Sequence, residues 1–222
     1  MSDMAYIVRD LQRRLANMIK RGRVHSVDFT MSPPRVRVEY DRQAVTGWLP
    51  WMGGRASSSK TQWEPLDIGE QVIILSESGD LSAGVVMPSI PDAQSPVPST
   101  SPDEHVSRYE DGTTLTYNRK EHTLTVDVHG DMRFYAKGNV TGHIEGNADF
   151  HTEGNVTAQI DGTADVTVAK ATTVKTDATL SVEALQDLTI KTGANLMLDS
   201  SGNVEIKAVG NVKVTGSRVD LN

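Results

Sequence analysis

GNVTGHIEGNADFHTEGNVTAQIDG, residues 138–162, places glycine at 138, 146, 154 and 162, eight residues apart each time. The same interval reaches back to Gly130. It continues through Lys170, Ala178, Gln186 and Ala194, and returns to glycine at Gly202 and Gly210. Eleven consecutive octads starting at 130 therefore hold phase without an insertion, as expected of a repeat architecture. Parity inside the octads is as regular. Val140, Ile144, Phe150, Val156, Ile160, Val166, Val174, Leu180, Leu188, Leu196, Val204 and Val212 all fall at even positions, while Asn, Asp, Glu, Thr, Lys and Ser dominate the odd ones. Leu185, Met197 and Val209 break the rule. A period of two means extended strand with one face buried.

No single strand runs for eighty residues, and one chain cannot cover such a face alone. An octad opening on Gly or Ala reads as a strand, a corner and the next strand, with glycine at the corner for its tolerance of positive φ and of crowding. Three chains wound together as a triangular prism meet the pattern. Each gives one strand per layer, the even side chains listed above form an axial core, and strand edges pair between chains. Layers about 4.8 Å apart make the eleven octads roughly 50 Å long. Aromatic residues end at Phe150, which suits an axis where three chains converge on Val, Ile, Leu, Ala and Thr. At the end of the chain, GSRVDLN moves the apolar residues to odd positions, Val219 and Leu221, the expected tip.

Working towards the N-terminus, DGTTLTYNRKEHTLTVDV gives a hairpin with strands near 113–117 and 122–128 and NRKE as its turn. The segment 91–108 overlaps a stretch, residues 88–105, that holds five of the nine prolines with several serines. It reads as an extended linker. Residues 22–90 read as a small β-barrel of the OB type. GRVHSVDFT and RVRVEY alternate around the turn signal MSPP, WLPWM is a short third strand, and GEQVIILSESGDLSAGVVM gives two more strands. Trp48, Trp51 and Trp63 are expected to fill the barrel and its subunit contacts, and GGRASSSKTQ (53–62) to be a mobile loop. In residues 1–21, Met4, Val8, Leu11, Leu15 and Met18 make a heptad seam with Ile7 and Ile19 beside it. Gly22 is placed just past the helix end. Two heptads are too short for a free coiled coil, so the helix is expected to pack on its own domain, with contact between copies as the sharper alternative.

The 222 residues include no cysteine, so disulfides, zinc–thiolate sites and cysteine nucleophiles are excluded. Net charge is −7, which disfavours a general nucleic-acid binder. The charge is uneven: residues 1–40 carry eight Lys/Arg against four Asp/Glu, and residues 122–222 eight against thirteen. No HExxH, Walker loop or GxSxG occurs. His143 and His151 are both odd and face outward, as do Asp149 and Glu153, which leaves no cleft for two-carboxylate chemistry. No enzyme is expected, and no cofactor.

The order helix, barrel with WLPWMGGRA and GEQVIIL-SESGDLSAGVV, linker, DGTTLTYNRKEHTLTV and octads resembles the baseplate assembly protein V family, the central spike of contractile phage tails and R-type pyocins. It is similar to the Mu spike and to the non-enzymatic parts of VgrG proteins. The resemblance implies an all-β homotrimer with an N-terminal helix, an OB-type barrel (22–90), a linker (91–108) and, over 109–222, a hairpin neck and an intertwined triple-stranded β-helix. It implies a spike driven through the host outer membrane on sheath contraction. Its partners would be baseplate hub and tail-tube proteins. Its location would be the virion tail baseplate or a pyocin particle, after assembly in the host cytoplasm. Many relatives end in a His-x-His apex that binds iron. This sequence has no histidine after His151, so the iron is not carried over, and a separate PAAR-type tip protein is the expected cap. The runner-up is a trimeric tail fibre or adhesin, which would call for exposed aromatics beyond Phe150.

Overall fold

A computed structural model of the chain describes residues 2–220. The chain divides into two units, Met1–His143 and Ile144–Asn222.

In the first unit, α1 (Ser2–Asn17) leads into β1 (Ile19–Asp28), followed by β2 (Arg35–Tyr40), β3 (Ala44–Val45), β4 (Gln71–Leu75) and β5 (Val85–Met87). These strands form one antiparallel sheet in the order β3-β2-β1-β4-β5. The sequence RVRVEY alternates, and so does its burial: Val36 and Val38 point inward, and Arg35 and Arg37 beside them do not. QVIIL repeats the pattern with Val72 and Ile74. Val24, Leu49, Leu66 and Val86 complete a core of eight aliphatic side chains.

WLPWM closes the sheet without becoming a regular strand. Leu49 and Val36 exchange both backbone hydrogen bonds, at 2.8 and 2.9 Å. Met52 N–H donates to Val86 O at 2.8 Å, and Val86 N–H donates to Pro50 O at 2.9 Å. The segment thus bridges β2 to β5, and the edges that an open sheet would expose are paired. Inside, the buried Thr46 hydroxyl accepts from Val38 N–H at 3.0 Å and donates to Gly47 O at 2.8 Å.

The helix stops at Asn17 rather than running to residue 21, a correction to the sequence expectation. Ile19 to Arg23 are claimed by β4, pairing Ile19 with Leu75 through to Arg23 with Gln71. Gly22 is accordingly not a helix terminator but a mid-strand residue. A Cβ there would lie 2.5 Å from both Glu39 O and Val38 Cγ1, so only glycine lets β2 approach. The stretch 53–62 is likewise not a loose loop. Gln62 N–H reaches Arg55 O (2.9 Å) and Ser57 N–H reaches Lys60 O (3.0 Å), closing a small hairpin whose tip is held by the Ser57 hydroxyl.

The proline-rich segment begins tied to the barrel. Ile90 N–H donates to Gln71 O, and the Arg23 guanidinium reaches both Gly69 O (2.8 Å) and the Asp92 carboxylate. It is also shorter than 91–108, because β6 (Glu104–Arg108) already pairs with β7 (Thr114–Asn118). With β8 (Thr123–Asp127) these form a three-stranded meander, β6-β7-β8. The expected hairpin is present: Asn118 Oδ1 accepts from Lys120 and Glu121 N–H at 3.0 Å each, which makes the NRKE turn.

The second unit contains no helix or strand among its described residues. Its backbone is extended and bends at 145–146, 153–154, 161–162, 169–170, 177–178, 185–186, 193–194, 201–202 and 209–210. Bends at 129–130 and 137–138 precede these within the first unit, on the same eight-residue count. No described residue beyond 128 is buried, or even partly buried, by the chain itself.

Candidate interaction surfaces

Four surfaces leave apolar or aromatic side chains exposed in places where sequence pattern would bury them. The first is the seam of α1. Met4, Val8, Leu11, Leu15 and Met18 are all exposed, Leu15 by 71%. The helix touches its own domain elsewhere. The turn Glu77–Gly79 lies against the backbone of Arg14, so closely that a Cβ on Gly79 would fall 2.0 Å from Arg14 O. Gly79 has φ +73°, a conformation that favours glycine. Beside this contact, Arg13 and Arg14 both pair with Asp10, at 2.7 and 2.8 Å, and hold its carboxyl below the usual carboxylate range. The expected packing of the seam on its own domain is therefore corrected: the domain holds the helix by a different side.

The second surface is aromatic. Trp51 and Trp63 rings lie 5.5 Å apart, and Phe29 meets Trp63 edge-on at 6.3 Å. Trp51 Nε1–H donates to Glu64 O at 3.3 Å. Trp48 lies under the Arg37 guanidinium at 5.8 Å. Trp48 and Trp63 are exposed and Trp51 is half-buried, so the indoles do not fill the barrel. Eight aliphatic side chains already occupy that small interior; Trp51 packs against them at its edge, and Trp48 and Trp63 are left exposed.

The third lies on the meander. Leu115 pairs with Val126 and Tyr117 with Leu124, which puts all four on one face, and each is exposed.

The fourth is the run of octads. Each corner residue predicted from the sequence, Gly130, Gly138, Gly146, Gly154, Gly162, Gly202 and Gly210, is the second residue of a bend. The reason given for glycine there needs correction. None of these glycines has a φ in the left-handed region, and in the chain alone a Cβ on all but Gly202 would meet nothing within 4 Å. Gly202's nearest neighbour is the Ser200 hydroxyl at 4.0 Å. Alanine, lysine and glutamine can occupy the same place for that reason. A second device was legible but missed. Where Thr or Ser stands two residues before the corner, its hydroxyl accepts the corner N–H: Thr152 for Gly154 (3.3 Å), Thr176 for Ala178, Thr192 for Ala194 and Ser200 for Gly202 (3.2 Å each). The predicted axial residues are all exposed in the single chain, from 55% at Val212 to 98% at Phe150. Val219 is exposed as well, and Leu221 lies outside the described residues.

Residues 20–90, the barrel as bounded by β1 and the Ile90–Gln71 hydrogen bond, match the family described as the type VI secretion system/phage-baseplate injector OB domain. The barrel is therefore similar to the phage baseplate V domain. The spike protein of Escherichia phage P2 is 35% identical over 137 residues, 62% of this chain and 63% of that protein. The match thus spans less than two thirds of the curated relative. The baseplate V domain accounts for the barrel, its closing WLPWM segment and the 53–62 hairpin. The helix seam lies before it, and the meander and octads after it. No group of three or more His, Asp or Glu side chains able to hold a metal ion occurs among the described residues.

Proposed function

We propose that this protein is a baseplate V family member, the homotrimeric central spike of a contractile tail, which helps organise the baseplate and is pushed through the host outer membrane when the sheath contracts. The observation that carries the reading is the octad run. Its backbone turns every eight residues, and its even-numbered apolar side chains are left in water by the chain alone. Burying one Val, Leu or Ile is worth about 1.5–3 kcal/mol, so a register of such side chains is a strong drive for chains to associate. Three copies winding into a triple-stranded β-helix would bury the axial set, pair the extended backbone between chains and place the charged odd residues outside. A rod of that kind transmits force. Its polar outer face does not partition into lipid by itself, so the work of entry comes from the sheath.

The role is mechanical rather than catalytic, and no cofactor is required for it. Hub and tail-tube proteins would meet the barrel side, and the virion tail or a pyocin particle is where the protein would reside. A PAAR-type protein would cap the tip. Light scattering on the purified full chain tests the foundation. A mass near three times 24.1 kDa is expected, and a stable monomer would refute the reading.

A further inference from the structure

We infer that the exposed seam of α1 is covered by the α1 helices of two other copies, so that the N-terminus is a short three-helix bundle. This rests on the trimeric reading above and adds an interface that the octads do not require.

Three observations select this occupant. First, the protein's own barrel is not available to cover the seam. The approach of Gly79 to the Arg14 backbone, with Ser76 N–H donating to Met18 O at 2.9 Å, fixes how the helix sits, and in that position the seam faces solvent. Second, the register suits self-packing. With Val8 and Leu15 at a, and Met4 and Leu11 at d, the e positions are Ala5 and Gln12 and the g positions Ile7 and Arg14, while Met18 lies just past the helix end. The one charge flanking the seam, Arg14, is already paired with Asp10, so copies brought together meet no unpaired like charges across it. Ile7 widens the apolar stripe beyond the a/d pair, towards a bundle of more than two helices. Third, the length fits. Sixteen residues are too few to associate alone, but helices tethered to chains already joined elsewhere have a high effective concentration and need little further affinity.

The absence of native cysteine makes the test direct. Leu11→Cys (seam, d) and Tyr6→Cys (position f, facing away) are made separately in the full-length chain, their mass is measured by light scattering, and both are oxidised and run on a non-reducing gel. A d-layer of copies brings the thiols into disulfide range, so Leu11→Cys should form covalent dimers at least about tenfold faster than Tyr6→Cys. Equal rates, or no cross-link at Leu11→Cys in particles of trimeric mass, would overturn the helix bundle and leave the shaft standing. A monomeric mass would overturn both.

Discussion

Gly79 and Gly154 look alike in the sequence, each a glycine beside polar residues, yet they do different work. Gly79 holds φ +73° against the backbone of Arg14. Gly79→Ala introduces both strain and a clash with backbone that cannot move aside, and should cost about 1–3 kcal/mol, read as a lower urea midpoint. Gly154 has neither constraint within the chain, and Ala178 and Ala194 fill the same register. Gly154→Ala should therefore change the midpoint by no more than about 1 kcal/mol and leave the assembled mass unchanged. Asp92 sets a pH dependence at the same scale. Its carboxyl is held below the usual range, first by the Ser95 backbone N–H and then by Arg23 and the Gln94 N–H. A carboxylate with a depressed folded pKa stabilises fully above its unfolded value of about 3.9, and the contribution is lost as pH falls through the folded value. The stability gap between the parent chain and Asp92→Asn should thus be open at pH 7 and close below about pH 3.9. A gap unchanged by acid would show that Asp92 does not anchor the linker as a carboxylate.

Among the elements, the barrel shows how far pattern reaches. RVRVEY and QVIIL were legible as strands because alternation is local, and the octads because their period is. The end of α1 was not, because the seam spacing runs smoothly into Met18 and Ile19, and only the distant β4 decides that Ile19 joins a strand. The tryptophans misled for a similar reason. Hydropathy favours them inside, but the interior volume is set by the whole barrel, and the aliphatic side chains fill it. Leu49 and Trp63 separate the two ideas. Leu49 is 1% exposed and lies in the closing segment, so Leu49→Ala should cost about 2–5 kcal/mol. Trp63→Ala removes a larger side chain that is 58% exposed, and should cost less, about 1 kcal/mol, from its ring contacts. Urea unfolding of both variants checks the order. A reversal would mean that the aromatic cluster, not the aliphatic interior, holds the barrel.

For the molecule as a whole, phase matters more than any one contact. The Thr and Ser hydroxyls before the corners, the bends and the even apolar residues all keep one count of eight, and each is useful only while the others stay in step. An insertion tests phase without removing a single side chain. One residue added after Asp161 reverses the face of every later side chain, so that in the proposed trimeric shaft Val166, Val174 and the rest would turn from the axis to the surface. Eight residues added at the same place, a second copy of GNVTAQID, restore both parity and corner register. The one-residue variant should lose trimeric mass or become protease-sensitive beyond the insertion. The eight-residue variant should assemble as the parent does and extend the rod by about one 4.8 Å layer. Mass measurement and limited proteolysis of the pair decide the matter. If both assemble equally well, the buried-even register is wrong, and the octads are no more than regularly spaced bends.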